Sequence, residues 1–505
     1  MSGNLIMAGN PRYQPKQLVD IFGYDNLYEA YVEVEMATFK TLYEFGIMPL
    51  SDYEKIDEAA KQALKEISTS EVDEVERSVT KHDIRALVQI IQKIVGPEAG
   101  RWIHVPLTSY DVIDTARSLQ FIRAFNILEP SIRQVMFELN SKIFDYADKI
   151  QVGRTHGQHA LPITVGFWLA TINQRILFNL SEMRRYANGL VGKISGAVGA
   201  YNAQVGLNMY AFGPVEHEQK FETQVLRKLG LNSAHISTQI LPPEPLAYFL
   251  FSCTMLSASL AQFGRDCRHL MRSEIGEVTE VFSAEQVGSS TMAHKRNPIN
   301  FESLEGMWLR TKNEFGKVLD TLISEHQRDL VGSPVMRDFP IILINLQQQL
   351  NTLLRSDKNG GTFLMKINID LNRCNYNFQQ SANFMIAEPL YLALQMAGYK
   401  KDAHHLVNHV LMRIAKNDGV GLFLALESVV DSEHDLREVI SNIPFEVQNL
   451  LKQPENYTGM AKKKALSIVD LVEKTTKKWD LEDEHKYKTG MADFLKDRRL
   501  LGGFN

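Results

Sequence analysis

The strongest chemical signal in the chain is the string Gly288-Ser-Ser-Thr-Met-Ala-His-Lys-Arg-Asn-Pro298. Its small residues, Gly288, Ser289, Ser290 and Thr291, read as a loop able to close over a site and exclude water. Lys295 supplies a cation, and Asn297 reads as an N-cap with Pro298 at the first helical position. Free N–H groups at such a helix start, beside a lysine, suit a carboxylate or a phosphate. Gly153-Arg-Thr-His-Gly-Gln158 sets His156 among hydroxyl and amide neighbours, either as a positioned acid or base or as a hydrogen-bonded structural histidine. His104-Val-Pro-Leu-Thr-Ser-Tyr-Asp111 is a polar turn whose Thr108, Ser109 and Asp111 are also what a helix start prefers. Thr80-Lys-His-Asp83 adds His82 and Asp83. Arg328-Asp-Leu-Val-Gly-Ser333, with Arg337, combines two guanidinium forks and a hydroxyl, which fits a phosphate and equally a surface ion-pair cluster. Arg12-Tyr13 offers one more cation and a stacking ring. His405 and His409 lie at i and i+4 beside His404, but without the carboxylate or cysteine that a metal site would add they read as a solvated helix face.

Helices must hold these side chains. Ile132, Val135, Leu139, Ile143 and Tyr146 recur at spacings of three and four, as do Cys253, Leu256, Leu260, Phe263, Cys267 and Leu270. Long periodic segments run over about 116–150, 165–190, 246–277 and 298–324, which predicts an all-α fold built on a long bundle. No strand, Gly-rich turn and helix follow one another, which argues against a dinucleotide fold and a P-loop. A polar turn near Thr108 to Thr115 and the linker Ser356-Asp-Lys-Asn-Gly-Gly361 divide the chain into three expected domains: helical 1–111, the central bundle with its signature loop over 112–360, and helical 361–505. From Asp480 the tail is charge-rich and reads as an exposed or partner-docked extension.

A length of 505 residues suits several domains, and 44% hydrophobic with 23% charged residues is an ordinary globular balance. A net charge of −5 excludes a general nucleic-acid binder while leaving room for a local phosphate site. Cys253, Cys267 and Cys374 form no CxxC and leave an odd one out, which with the absence of an evident signal peptide points to a reduced, cytoplasmic setting. Pro245 to Gly264 carries no charge and approaches membrane-span length. Its Ser252, Thr254, Ser257, Ser259 and Gln262 instead predict a helix buried in the bundle, with no membrane partner.

Taken in chain order, Thr80-Lys-His-Asp83, the His104 to Asp111 turn, Gly153-Arg-Thr-His-Gly-Gln158 and the Gly288 to Pro298 string resemble the fumarase/aspartase superfamily. Arg12-Tyr13, the His294-Lys-Arg-Asn-Pro298 ending, Arg328 to Arg337 and Pro454-Glu-Asn-Tyr-Thr-Gly459 are most similar to its adenylosuccinate lyases. The resemblance implies a three-domain helical subunit, a homotetramer with shared active sites, a succinylated purine nucleotide as substrate, and no metal or organic cofactor. It implies Ser289 as base, and His156 as acid acting with His104 and Glu302. Lys295, Asn297, Thr108, Ser109 and Thr155 would hold the succinyl carboxylates, and Gln239 would sit near the substrate. Arg12, Tyr13, Arg328, Ser333 and Arg337 would take the nucleotide phosphate, with His82 and Asp83 nearby. The chain departs from the family pattern at Met292-Ala293, at His104-Val-Pro106 and at Leu241-Pro-Pro-Glu-Pro245.

Overall fold

The computed structural model describes residues 13–209, 220–280, 292, 294–356, 360–431 and 435–488. Helices dominate it. α1 (Glu29–Glu44) and α2 (Asp83–Gly100) lead into α3 (Ser109–Asp145), the longest at 37 residues. A hairpin, β1 (Ile150–Thr155) with β2 (Gln158–Thr164), then connects to α4 (Val165–Ala187). α5 (Glu244–Leu270), α6 (Ile299–Asp320) and α7 (Pro340–Leu354) complete the central bundle. α8 (Leu371–Gln379) packs on β1, and α9 (Ala461–Lys488) returns to lie along α3 and α4.

The fold is all-α, and the four long periodic segments of the sequence are α3, α4, α5 and α6. Their starts follow local chemistry. The Asp111 carboxylate accepts the Thr108 N–H at the head of α3, at 2.9 Å, and the Thr164 hydroxyl accepts the Phe167 N–H at the head of α4, at 3.1 Å. Apolar faces of α3 to α7 and α9 share one core, running from Phe121 and Leu128 through Ile176 and Leu256 to Trp479. A second core joins α1, α2 and the first turns of α3 to residues between Ile194 and Leu231, and a third fills the short helices from Ile386 to Leu451.

α5 is the one described helix long and apolar enough to cross a membrane, with mean hydropathy 1.4 over its most apolar stretch. It lies within the bundle, against α4, α6 and α7. Its polar residues bond across helices there: the Asn179 amide donates to the Ser259 hydroxyl at 2.8 Å, and the Gln349 amide donates to the carbonyls of Ser257 and Leu304 at 3.2 and 2.7 Å. Such bonds satisfy polar atoms that lipid would leave stranded.

Candidate active site

The first turn of α3 gathers residues from three distant stretches of chain. His82 caps α2, its Nδ1 accepting the Arg85 N–H at 3.4 Å, while its Nε2 lies 3.4 Å from the Ser109 hydroxyl. Its neighbour Asp83 faces the Arg337 guanidinium at 3.9 Å. Tyr110 donates its hydroxyl to Ser333 at 3.4 Å, and the Arg328 guanidinium stacks on the Tyr110 ring, 3.1 Å from its centroid. Arg328 also donates to the Gln239 side-chain oxygen at 3.2 Å. His82, Asp83, Ser109, Gln239, Arg328, Ser333 and Arg337 therefore form one rim. Two cations and two hydroxyls beside one carboxylate make it suited to an anion with several oxygens.

Behind the rim lies a pocket of about 70 Å³, walled by Ile240, Leu241, Pro242, Pro243 and Met336 and edged by Arg117 and Arg328. The Leu241-Pro-Pro-Glu-Pro245 segment is thus a wall of this pocket. It is pinned where the Leu241 N–H donates to Asp114, at 2.9 Å. Burial pushes the Asp114 carboxyl up, against the pull of neighbouring Arg117.

His104 precedes this turn in a left-handed backbone conformation, φ 69°. Glu35, fully buried on α1, accepts both the His104 backbone N–H at 3.0 Å and ring Nδ1 at 2.7 Å. A carboxylate on Nδ1 places the proton there and leaves Nε2 of the neutral ring as an acceptor.

His156 sits elsewhere, at the tip of the β1–β2 hairpin. Thr155 pairs with Gln158, and the two residues between them, His156 and Gly157, have φ of 53° and 76°, as a type I′ turn requires. The tip, with Thr155, is exposed. Its base is fixed by buried Glu277, which accepts two bonds from Arg154 (2.6 and 3.1 Å), one from Gln151 (2.8 Å) and one from Asn377 of α8 (2.8 Å).

At the head of α6 the structure corrects the sequence reading. Pro298, rather than Asn297, is the N-cap, and no side chain of the capping residue bonds the first turn. The N–H groups of Asn300 and Phe301, expected to be free for an anion, are taken by buried Glu280 at 3.0 and 3.3 Å, with the Asn300 amide also donating at 2.6 Å. Lys295 and Glu302 are exposed on either side of this start, with Asn297 half-buried between them. Tyr13 packs under Arg310 of α6, 5.6 Å from guanidinium carbon to ring centroid. Ser289 and Arg12 lie outside the described residues. Among the described residues, no hydrogen bond or ion pair within the subunit joins the Arg328 rim to His156, Lys295 or Glu302.

A family model described as "Lyase" matches residues 12–311. Adenylosuccinate lyase of Archaeoglobus fulgidus is 31% identical over 475 residues, covering 92% of this chain and 98% of its own. That of Pyrococcus horikoshii is 32% identical over 480 residues, with the same coverage of 92% and 98%. The chain belongs to the fumarase/aspartase superfamily of lyases. Two solved structures share its fold: 3-carboxy-cis,cis-muconate lactonizing enzyme from Pseudomonas putida (TM-score 0.75, 23% identity, 94% of this chain and 100% of that one) and fumarate lyase from Mesorhizobium sp. BNC1 (TM-score 0.73, 22% identity, 91% and 98%).

Three carboxylates that organise this superfamily member were not visible as site residues in its sequence: Glu35, Glu277 and Glu280. Each is buried. Glu35 carried a usable signal, because it shares a helical face with Phe39 and Leu42, where an acid needs a partner. Glu277 and Glu280 follow the end of α5 and carry no periodicity to mark them.

Proposed function

We propose that this lyase releases fumarate from adenylosuccinate, giving AMP, and from the related succinyl-carboxamide ribotide. The observation that carries the reading is the rim, where Arg328 and Arg337 stand with Ser333, Ser109, His82 and Gln239. A phosphate monoester attached to a base is an anion of the kind two guanidinium forks and adjacent hydroxyls recognise. Relatives named adenylosuccinate lyase at 31–32% identity over nearly their whole length support the same reading.

The chemistry asks for three things. A base removes a Cβ proton, the C–N bond breaks as the C=C bond of fumarate forms, and an acid protonates the departing nitrogen. Charge accumulates on the carboxylate next to the carbanion, so fixed donors there lower the barrier most. In this proposal Ser289 takes the proton. Lys295, Asn297, Thr108, Ser109 and Thr155 hold the two carboxylates, and His156 is the acid, assisted by His104 and Glu302. The separation of the hairpin tip, the α6 start and the rim within one subunit is accounted for by a homotetramer in which each site draws on several copies.

A second reading keeps the elimination and changes the leaving group to that of another N-succinyl or aspartate adduct. The proline-rich wall of the pocket behind Arg328 favours it, because Leu241 to Pro245 is where the chain departs from the family pattern. Steady-state fumarate release from adenylosuccinate separates the two, with Arg328→Gln and Arg337→Gln beside the wild type. A phosphate-bearing substrate predicts a KM raised about tenfold or more in each variant. Unchanged KM values would remove the phosphate from the rim.

A further inference from the structure

Behind the rim, Asp111 and Lys193 face each other at 2.5 Å, both fully buried. Their side-chain hydrogen bonds go to Thr108, Ser195, Gly196 and each other rather than to the rim residues. Removing two charges from water is costly, and such a pair persists where the remaining lone pairs and protons all find partners. On the Asp111 side that condition is met. One Asp111 oxygen also accepts the N–H groups of Ser195 (3.0 Å) and Gly196 (3.3 Å), and the other accepts those of Thr108 (2.9 Å) and Gly196 (3.2 Å). Lys193 donates a second bond to the Gly196 carbonyl at 3.4 Å. The Thr115 hydroxyl bonds both backbone groups of Lys193, at 3.1 and 3.0 Å. The Ile194 N–H goes to a second buried carboxylate, Glu222, at 2.7 Å. Every backbone N–H from Lys193 to Gly196 is therefore fixed by a side chain.

From this fixed segment the constraint passes on to Gln239. The hydroxyls of Ser195 and Ser237 are 2.8 Å apart. At Gly199, φ 75°, a Cβ would stand 2.1 Å from the Ser237 carbonyl oxygen, so the two backbones meet there without room for a side chain. Two residues beyond Ser237, Gln239 accepts from Arg328.

We infer that Asp111 and Lys193 are positioning residues: one buried carboxylate sets the Thr108–Ser109 turn directly and the Gln239 wall through Ser195 and Ser237. The two sides of the anion-binding rim thereby keep a fixed spacing. The kinetic part of this inference rests on the proposed function, while its structural part does not.

Ser195→Ala removes only the link between the two sides, and Asp111→Asn weakens the hub itself. Two measurements are made on each: KM and kcat with adenylosuccinate, and amide hydrogen exchange of peptides spanning 105–112, 234–242 and, as a remote reference in the third core, 387–396. For Ser195→Ala the inference predicts a KM raised about tenfold with kcat within about twofold. Exchange at Thr238 and Leu241, both hydrogen-bonded in the wild type, becomes faster while the reference peptide is unchanged. Asp111→Asn loosens the 105–112 peptide as well. Wild-type KM and wild-type exchange over 234–242 in Ser195→Ala would overturn the inference. So would an Asp111→Asn protein whose exchange quickens equally in all three peptides, since that marks a purely global role. Should Asp111→Asn fail to fold, Ser195→Ala alone decides. Should the wild type not act on adenylosuccinate, the proposed function fails and the exchange data still decide the positioning role.

Discussion

Glu35 decides what His104 can do. By accepting both the backbone N–H and Nδ1 it fixes the ring's tautomer and holds the left-handed backbone of His104, φ 69°, in place. Glu35→Gln keeps the shape and removes the charge, and we expect kcat for fumarate release to fall ~10²-fold with little change in melting temperature. An unchanged kcat would place His104 outside the reaction. His159, just past the hairpin tip, answers to pH. Its Nδ1 meets the Ser381 hydroxyl at 2.9 Å, and burial, then the Arg154 guanidinium, push its pKa below the ordinary 6.5. The unfolded chain therefore takes the proton first. His159 contributes stability that is complete above pH 6.5 and is lost as pH falls from there through the lower folded value. Melting temperatures measured at about pH 7.5 and about pH 5.5 should fall further in the wild type than in His159→Gln. Equal falls would remove His159 from the acid sensitivity.

At the scale of elements, buried carboxylates connect pieces that periodicity alone leaves separate. Glu277 gathers Arg154, Gln151 and Asn377 at the base of the hairpin that carries His156. Glu277→Ala strands a guanidinium and two amides, and should destabilise the protein by about 3–5 kcal/mol in urea unfolding. A loss under about 1 kcal/mol would mean that the hairpin is held by its other contacts. The long helices were legible because their apolar residues repeat at three and four over many turns, as in Ile132 to Tyr146. The hairpin was not: its Arg154, Thr155 and His156 read as a reactive string, and strand character comes from pairing rather than from an alternating pattern. The start of α6 was misread by one residue because its cap is Glu280, 20 positions upstream, and no local rule points there. Glu35 and His104 are 69 positions apart, and Glu277 and Gln151 are 126 apart, distances across which sequence spacing carries no geometry.

The whole molecule leaves an apolar stripe uncovered along its bundle. Tyr248, Phe251 and Met255 repeat along one side of α5 and are 53%, 44% and 40% exposed, with Phe178 of α4 at 62%. Contiguous exposure of this kind marks a surface that another chain covers. The proposed homotetramer would bury it, bringing together the hairpin tip, the α6 start and the rim from different copies. Phe251→Glu should then dissociate the assembly from four copies of 57.4 kDa to smaller species by light scattering, and abolish activity with it. A monomeric Phe251→Glu variant with full activity would contradict shared sites.

The central claim, a serine-dependent elimination that yields fumarate, is tested most directly by incubating the purified protein with adenylosuccinate. Fumarate and AMP are followed together, with a folded Ser289→Ala variant alongside. The account predicts equal amounts of the two products from the wild type and a loss of turnover of ~10³-fold or more in the variant. Fumarate release that persists undiminished in Ser289→Ala would contradict it.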